Sequence, residues 1–290
     1  MMDHKKHVSL NHTKLSLIES HSNHPDTSCS TKIVALHGWL DNAASFKLCM
    51  DFMPDLHWFS LDCAGHGESL HRAEGSFYHL WDYVLDTVQF IEGLNAKVWL
   101  VGHSMGASVA MLVASVIPDK VHGLVMLDNL GPLTSSPSQR VSQLQHAIKK
   151  MGHERPESRG YDNQEAMIKA RMNGFTKLGY NAAKALILRG SQLSADGRYR
   201  WRHDPKLTFP SPFRMDRQSV EAFMKSVSCP ALTLLANQGL FANSMKDAEL
   251  ICNKFPNGEL DWCEGGHHFH LEDDTHLAVA KKIYAFITRH

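Results

Sequence analysis

Gly102, His103, Ser104, Met105 and Gly106 form a G-x-S-x-G pentapeptide that follows the apolar run Val98 to Val101 and opens a stretch with helical spacing. Glycines two residues before and two after a serine allow a sharp strand-to-helix turn that holds the hydroxyl, in a strained backbone conformation, clear of the sheet. A serine hydroxyl is a weak nucleophile until a base takes its proton. The pattern therefore predicts a histidine oriented by a carboxylate, both downstream in the chain, and acyl transfer as the chemistry.

His267 is the expected base. It follows the run Glu259 to Trp262 and the pair Gly265-Gly266, at the C-terminal end of a strand, where open α/β sheets carry their reactive groups. His268 and His270 compete for the role, and the cluster could instead hold a metal, although no carboxylate or cysteine stands beside it at ligand spacing. Glu272 and Asp273 read as an acidic pair favouring the N-terminus of the closing helix, and His103 as a packed strand-end residue.

For the acid, the run Ala231 to Leu235 leads into Ala236-Asn237-Gln238-Gly239-Leu240 and meets no carboxylate before Asp247. Asp128 is the better candidate: it ends the run Leu124 to Leu127, beside the nucleophile's own strand, and the turn through Pro132 exposes the same sheet edge. Its alternative reading is a turn-capping aspartate. The oxyanion of the tetrahedral intermediate needs preorganised N–H donors, and the amides of Trp39 and Met105 are the expected pair, with Gly38 letting the backbone approach the substrate.

The elements that must position these groups alternate. The runs Ile33 to Leu36, Trp58 to Leu61, Val98 to Val101 and Leu124 to Leu127 are almost wholly apolar, as strands of a parallel sheet buried on both faces are. Between them Leu80, Val84, Val88 and Ile91 form one helical stripe, and Val109, Leu112, Val113 and Val116 another. After Asp128 the rhythm breaks. Gln139 to Met151 and Asn163 to Met172 read as polar helices, followed by an irregular Arg/Trp/Pro segment through Pro212. The sheet resumes at Ala231 to Leu235, followed by a helix from Ser244 to Phe255, the strand Glu259 to Trp262 and a closing helix with Leu277, Ala280, Ile283 and Ile287 inward; residues 8 to 19 read as an antiparallel hairpin leading in.

At 290 residues with 43% apolar and 21% charged side chains, the chain can bury a large core, which excludes a disordered or fibrous protein. Thirty Lys+Arg balance thirty Asp+Glu, so the long-range attraction used by nucleic-acid binders is missing. Cys29, Cys49, Cys63, Cys229, Cys252 and Cys263 include no C-x-x-C pair, no apolar run follows the basic start Met1 to His7, and no stretch is apolar for the length of a membrane span. A reduced, cytoplasmic protein is expected.

His37 to Phe46, the segment Asp62-Cys63-Ala64-Gly65-His66-Gly67-Glu68-Ser69, the Ser104 turn and the loop Gly266 to Leu271 together resemble an α/β-hydrolase fold serine hydrolase. Within that superfamily, His37-Gly38-Trp39-Leu40-Asp41-Asn42 with Ser45-Phe46, and Arg200-Trp201-Arg202-His203-Asp204-Pro205, resemble the serine hydrolase-like branch. The likeness covers residues 32 to 128 and 230 to 290, and the stretch between them only in patches. Related haloalkane dehalogenases carry their acid where Asp128 stands; they and the epoxide hydrolases use an aspartate nucleophile, a chemistry that Ser104 excludes here. Ala107 departs from the many relatives that have a second glycine after Gly106.

The resemblance implies an α/β fold with a mostly parallel sheet of about eight strands flanked by helices. Residues 1–132 and 229–290 would form the core, and residues 133–228 a helical cap or lid inserted between strands 6 and 7. The expected activity is hydrolysis of carboxylic esters with small to medium acyl chains by Ser104, His267 and Asp128, with no cofactor or metal, by a monomer or homodimer that contacts neither nucleic acid nor the membrane interior. One alternative is carbon–carbon bond hydrolysis of a dienoic ketoacid, or perhydrolysis, with Arg200 or Arg202 turned to the substrate's carboxylate. Another is a catalytically silent binding module on the same fold.

Overall fold

The computed structural model describes residues 4–21, 31–152 and 159–290. Its strands are β1 (His4–Ser9), β2 (Lys14–Ser20), β3 (Lys32–Leu36), β4 (His57–Leu61), β5 (Val98–His103), β6 (Val121–Leu127), β7 (Ser191–Leu193), β8 (Tyr199–Trp201), β9 (Ala231–Gln238) and β10 (Gly258–Gly266). Among the described residues, eight of these form one sheet in the order β1-β2-β4-β3-β5-β6-β9-β10. The hairpin β1–β2 and the pair β2–β4 are antiparallel, and every pairing from β4 through β3, β5, β6 and β9 to β10 is parallel. The expected entry hairpin is present, with Val8 opposite Leu15.

The helices are α1 (Lys47–Phe52), α2 (Leu80–Leu94), α3 (Met105–Val116), α4 (Arg140–Met151), α5 (Gln164–Met172), α6 (Tyr180–Gly190), α7 (Arg217–Ser226), α8 (Met245–Cys252) and α9 (His276–Arg289). A parallel sheet must be covered on both faces, and two apolar clusters do this. On one face Leu36, Leu100 and Met126 pack with Val109, Leu112 and Val113 of α3 and with Phe90 and Ile91 of α2. On the other, Ile33, Val101 and Val125 pack with Cys49 and Met50 of α1 and with Val279, Ile283 and Phe286 of α9. No helix among the described residues is long and apolar enough to cross a membrane.

Between β6 and β9 lie α4 to α7 and the hairpin β7–β8. The irregular segment expected through Pro212 is therefore more ordered than its sequence suggests. In α6, Ala182, Ala183, Leu186 and Ile187 are buried in a separate cluster with Met167, Ile168 and Leu271. A buried arginine, Arg189, continues that inner face and interrupts the apolar stripe that would have announced a helix. By contrast, α4 buries only Ala147 among its described side chains and leaves Val141, Leu144 and Ile148 exposed.

Candidate active site

β5 ends at His103, and Ser104 turns the chain directly into α3. Ser104 has φ 50° and ψ −117°, a strained conformation for a residue with a Cβ, and its amide donates to the Leu127 carbonyl at the end of the neighbouring strand at 3.0 Å. The flanking glycines permit this turn by close approach. A Cβ on Gly102 would lie 2.4 Å from the Ala107 Cα, and one on Gly106 2.0 Å from the Leu36 carbonyl oxygen.

Asp128 is the first residue after β6, fully buried, also at positive φ (45°), with its amide donating to the Leu234 carbonyl at 2.8 Å. Its carboxylate is held from two directions. Oδ1 accepts the Ala236 amide at 3.1 Å, while Oδ2 accepts the Leu240 amide at 3.0 Å and the His267 Nδ1–H at 2.5 Å. The end of β9 and the turn after it, which carry no acid of their own, thus supply the N–H donors for an acid carried one strand away. Asn237 ties the end of β9 to the end of β10, just before the base: its Nδ2 donates to Glu264 Oε2 at 2.7 Å and its Oδ1 accepts the Gly265 amide at 3.1 Å. His267 follows directly on β10. Among the described residues the Ser104 hydroxyl has no hydrogen-bond partner, so the link from Ser104 to His267 is not closed; such bonds commonly tighten only with substrate in place.

Trp39 and Met105 contribute amides that donate to no acceptor among the described residues, leaving both N–H groups available at the start of α3 and in the loop after β3. The Trp39 ring is anchored, its Nε1–H donating to the Leu207 carbonyl at 2.9 Å. A Cβ on Gly38 would meet His103 Nδ1 at 2.8 Å, so the glycine makes room for a buried imidazole.

That imidazole belongs to a network the spacing of residues did not announce. His103 Nε2–H donates to the His267 carbonyl at 2.8 Å, and its ring lies 4.6, 4.8 and 4.3 Å from those of His267, His268 and His270. His268 Nε2–H donates to Asp41 Oδ2 at 2.9 Å, and Arg171 of α5 donates from Nη2 to Asp41 Oδ1 at 2.8 Å. Burial alone would raise the Asp41 carboxyl; His268, Arg171 and His103 overcome it and hold the group well below the usual carboxylate range. His103 and His270 are pushed well below the usual imidazole range, by burial first and by their histidine neighbours next, and are neutral at pH 7.

Within this cluster the histidines hydrogen-bonded to a carboxylate are His267 with Asp128 and His268 with Asp41, while His270 pairs with the Ser45 hydroxyl at 2.9 Å. Asp41, His103 and His268 bring ligand atoms within 4.8 Å of one another, so a carboxylate does reach the histidine cluster, from the loop after β3. Arg171 already neutralises it and also stands 3.3 Å from His268 Nε2, which makes the set a poor host for a cation.

Two other expectations are corrected. Glu272 and Asp273 serve a helix N-terminus, but that of α6: Glu272 accepts the Gly179 amide at 2.9 and 3.2 Å, and Asp273 accepts Asn181 Nδ2 at 2.7 Å. Arg200 forms a two-bond pair with Asp196 at 2.7 Å, and Arg202 Nε donates to the Ser191 carbonyl at 2.8 Å, so both are committed within or beside the β7–β8 hairpin. Five cysteines are free and buried, and Cys29 lies outside the described residues, as do Met1 to Asp3 of the basic start. Burial pushes the Cys49 thiol up to about 12, which removes it as a rival nucleophile.

Residues 33–282 match the alpha/beta hydrolase family. A serine hydrolase-like protein of Dictyostelium discoideum is 28% identical over 89% of this chain and 75% of its own length, and one of Danio rerio is 28% identical over 88% and 81%. A crystal structure of a hypothetical protein from Pseudomonas aeruginosa PAO1 superposes with a TM-score of 0.89 at 35% identity, covering 100% of both chains.

Proposed function

The chain belongs to the alpha/beta hydrolase family, and from that premise we propose that it is a serine hydrolase cleaving carboxylic esters of small to medium acyl chain. The observation that carries this reading is the 2.5 Å pair of His267 and buried Asp128 on the same rim as the strained Ser104 turn. Ser104 Oγ attacks the acyl carbon as His267 Nε2 takes its proton. Asp128 keeps Nδ1–H pointed at itself and stabilises the imidazolium. The amides of Trp39 and Met105 receive the oxyanion. When the intermediate collapses, the alcohol leaves with the proton from His267, and water then repeats the sequence on the acyl-enzyme. These groups are sufficient for acyl transfer without a cofactor.

In this reading the core spans residues 1–132 and 229–290, and residues 133–228 cover the site as a cap. The cap's α5 and α6 are anchored, so the lightly buried α4 is the part that would move to admit substrate. Free cysteines and a formal charge of zero support a cytoplasmic enzyme whose partner is a small ester rather than a nucleic acid, working as a monomer or homodimer. Against the carbon–carbon hydrolase alternative, Asp196 holds Arg200 and the Ser191 carbonyl holds Arg202 Nε at the β7–β8 hairpin.

A fluorophosphonate probe with p-nitrophenyl esters of increasing acyl length tests the proposal. Wild type is expected to label stoichiometrically and to turn over short and medium esters, and Ser104→Ala to do neither. Folded wild type that does not label would overturn it.

A further inference from the structure

We propose that Arg171 is a positioning residue of this hydrolytic reaction, acting through Asp41 and His268 on the orientation of His267; the inference rests on the serine hydrolase reading. The chain of contacts is continuous. Arg171 in α5 donates to Asp41 Oδ1 at 2.8 Å and to the Thr176 carbonyl at 3.3 Å. Asp41, in the loop that also carries Trp39, accepts from His268 Nε2 at 2.9 Å, and Thr176 Oγ1 donates to the other ring nitrogen at 3.4 Å. His268 is the next residue after the base, and His103 Nε2–H holds the base's own carbonyl at 2.8 Å.

Asp41 and His268 are 1% and 3% exposed at their side chains and Arg171 13%, so the pairs act in a poorly screened interior where geometry is tightly specified. The planar arginine fork holds the carboxylate and the carbonyl in one preset geometry, with less freedom to reorient than a lysine ammonium on its flexible stem. With Asp41 released, the loop after β3 that carries the oxyanion amide of Trp39, and through Asp41 the loop after β10 that carries His268, lose their anchor to α5. A displacement on the order of 1 Å at a reacting group costs about 10²-fold in rate, mostly in the chemical step.

The test compares Arg171→Gln with wild type in ester hydrolysis and in the downfield proton resonance of the His267–Asp128 hydrogen bond. The expected result is folded protein with kcat lowered about 10²-fold, KM little changed and the resonance shifted or lost. In Arg171→Ala, millimolar guanidinium is expected to restore both rate and resonance, which a purely structural lesion would not allow. A kcat and resonance matching wild type overturn the proposal, and so does a lowered kcat with an unmoved resonance and no rescue. Should Arg171→Gln not fold, the Arg171→Gln/Asp41→Asn double variant, which strands no charge, is judged by the same criteria. If wild type neither labels nor hydrolyses esters, the enzymatic reading fails alone, because the resonance still decides whether Arg171 positions His267.

Discussion

His267 and Asp128 are 139 residues apart in the chain and 2.5 Å apart in the fold, joined Nδ1 to Oδ2 where β6 and β10 end on the same rim. Oδ2 also accepts the Leu240 amide and Oδ1 the Ala236 amide, so the carboxylate keeps its place even when the imidazole is removed. Asp128→Asn retains the shape of the group but favours the wrong imidazole tautomer. Steady-state kinetics is expected to show kcat reduced by about 10⁴, with the protein still folded by circular dichroism. Near-normal turnover in this variant would make Asp128 a turn cap and nothing more.

Arg189 of α6 reaches into the core and pairs with Asp62 at 2.8 Å, with side-chain exposures of 5% and 0%. Its Nη2 also donates to Ser16 Oγ at 2.8 Å, and Asp62 further accepts the amides of Ala43 and Glu68 at 2.7 Å. Arg189→Met leaves a buried carboxylate without its cation, a change that costs about 3–5 kcal/mol. Urea unfolding is expected to show that loss in the single variant and a loss smaller than the sum of the singles in Arg189→Met/Asp62→Asn, since the two residues share one interaction.

What could be read from sequence was what repeats or abuts. The parallel strands announced themselves as apolar runs because both their faces are covered, and Ser104, Asp128 and His267 stand immediately after such runs or their short extensions. The helix α6 was hidden because a buried charge, Arg189, occupies its inner face. The support of Asp128 was hidden for a different reason: the donors are main-chain amides of Ala236 and Leu240, which no side-chain pattern records. Asp41, too, meets His268 across 227 residues and Arg171 across 130, so only the closed fold shows why a carboxylate belongs in His37-Gly38-Trp39-Leu40-Asp41-Asn42.

Buried imidazoles predict how the protein responds to acid. His37, His66, His103 and His270 are all pushed below the ordinary value of 6.5, each by burial first, and His203 falls to about 4 for the same reason. Below pH 6.5 the unfolded chain binds protons at these sites that the folded chain refuses, so stability declines as pH drops from about 6.5 toward 4. Each group contributes a slope of up to about 1.4 kcal/mol per pH unit. The depressed Asp41 adds stability that is lost only below the carboxylate range, and so does not offset the decline. The urea midpoint is expected to be clearly lower at pH 5 than at pH 7.5; equal midpoints would mean that these rings take up protons in the native state.

The turn at Ser104 makes opposite demands on two neighbouring positions. At Gly106 a Cβ would sit 2.0 Å from the Leu36 oxygen and 2.4 Å from its carbon, both backbone atoms of a central strand that cannot swing aside. Gly106→Ala must therefore lift α3 off β3, and overpacking against backbone costs about 3 kcal/mol or more. The lift also displaces the Met105 amide at the start of α3. Ala107 is fully buried in the cluster that packs α3 on the sheet, so Ala107→Gly removes one methyl and adds helix flexibility, at about 1 kcal/mol. Thermal melts and fluorophosphonate labelling on the pair are expected to separate them: Gly106→Ala melts much earlier and labels slowly, whereas Ala107→Gly melts slightly earlier and labels like wild type. Equal labelling rates in the two variants would show that the N-terminus of α3 does not need its contact with Leu36 to present the serine.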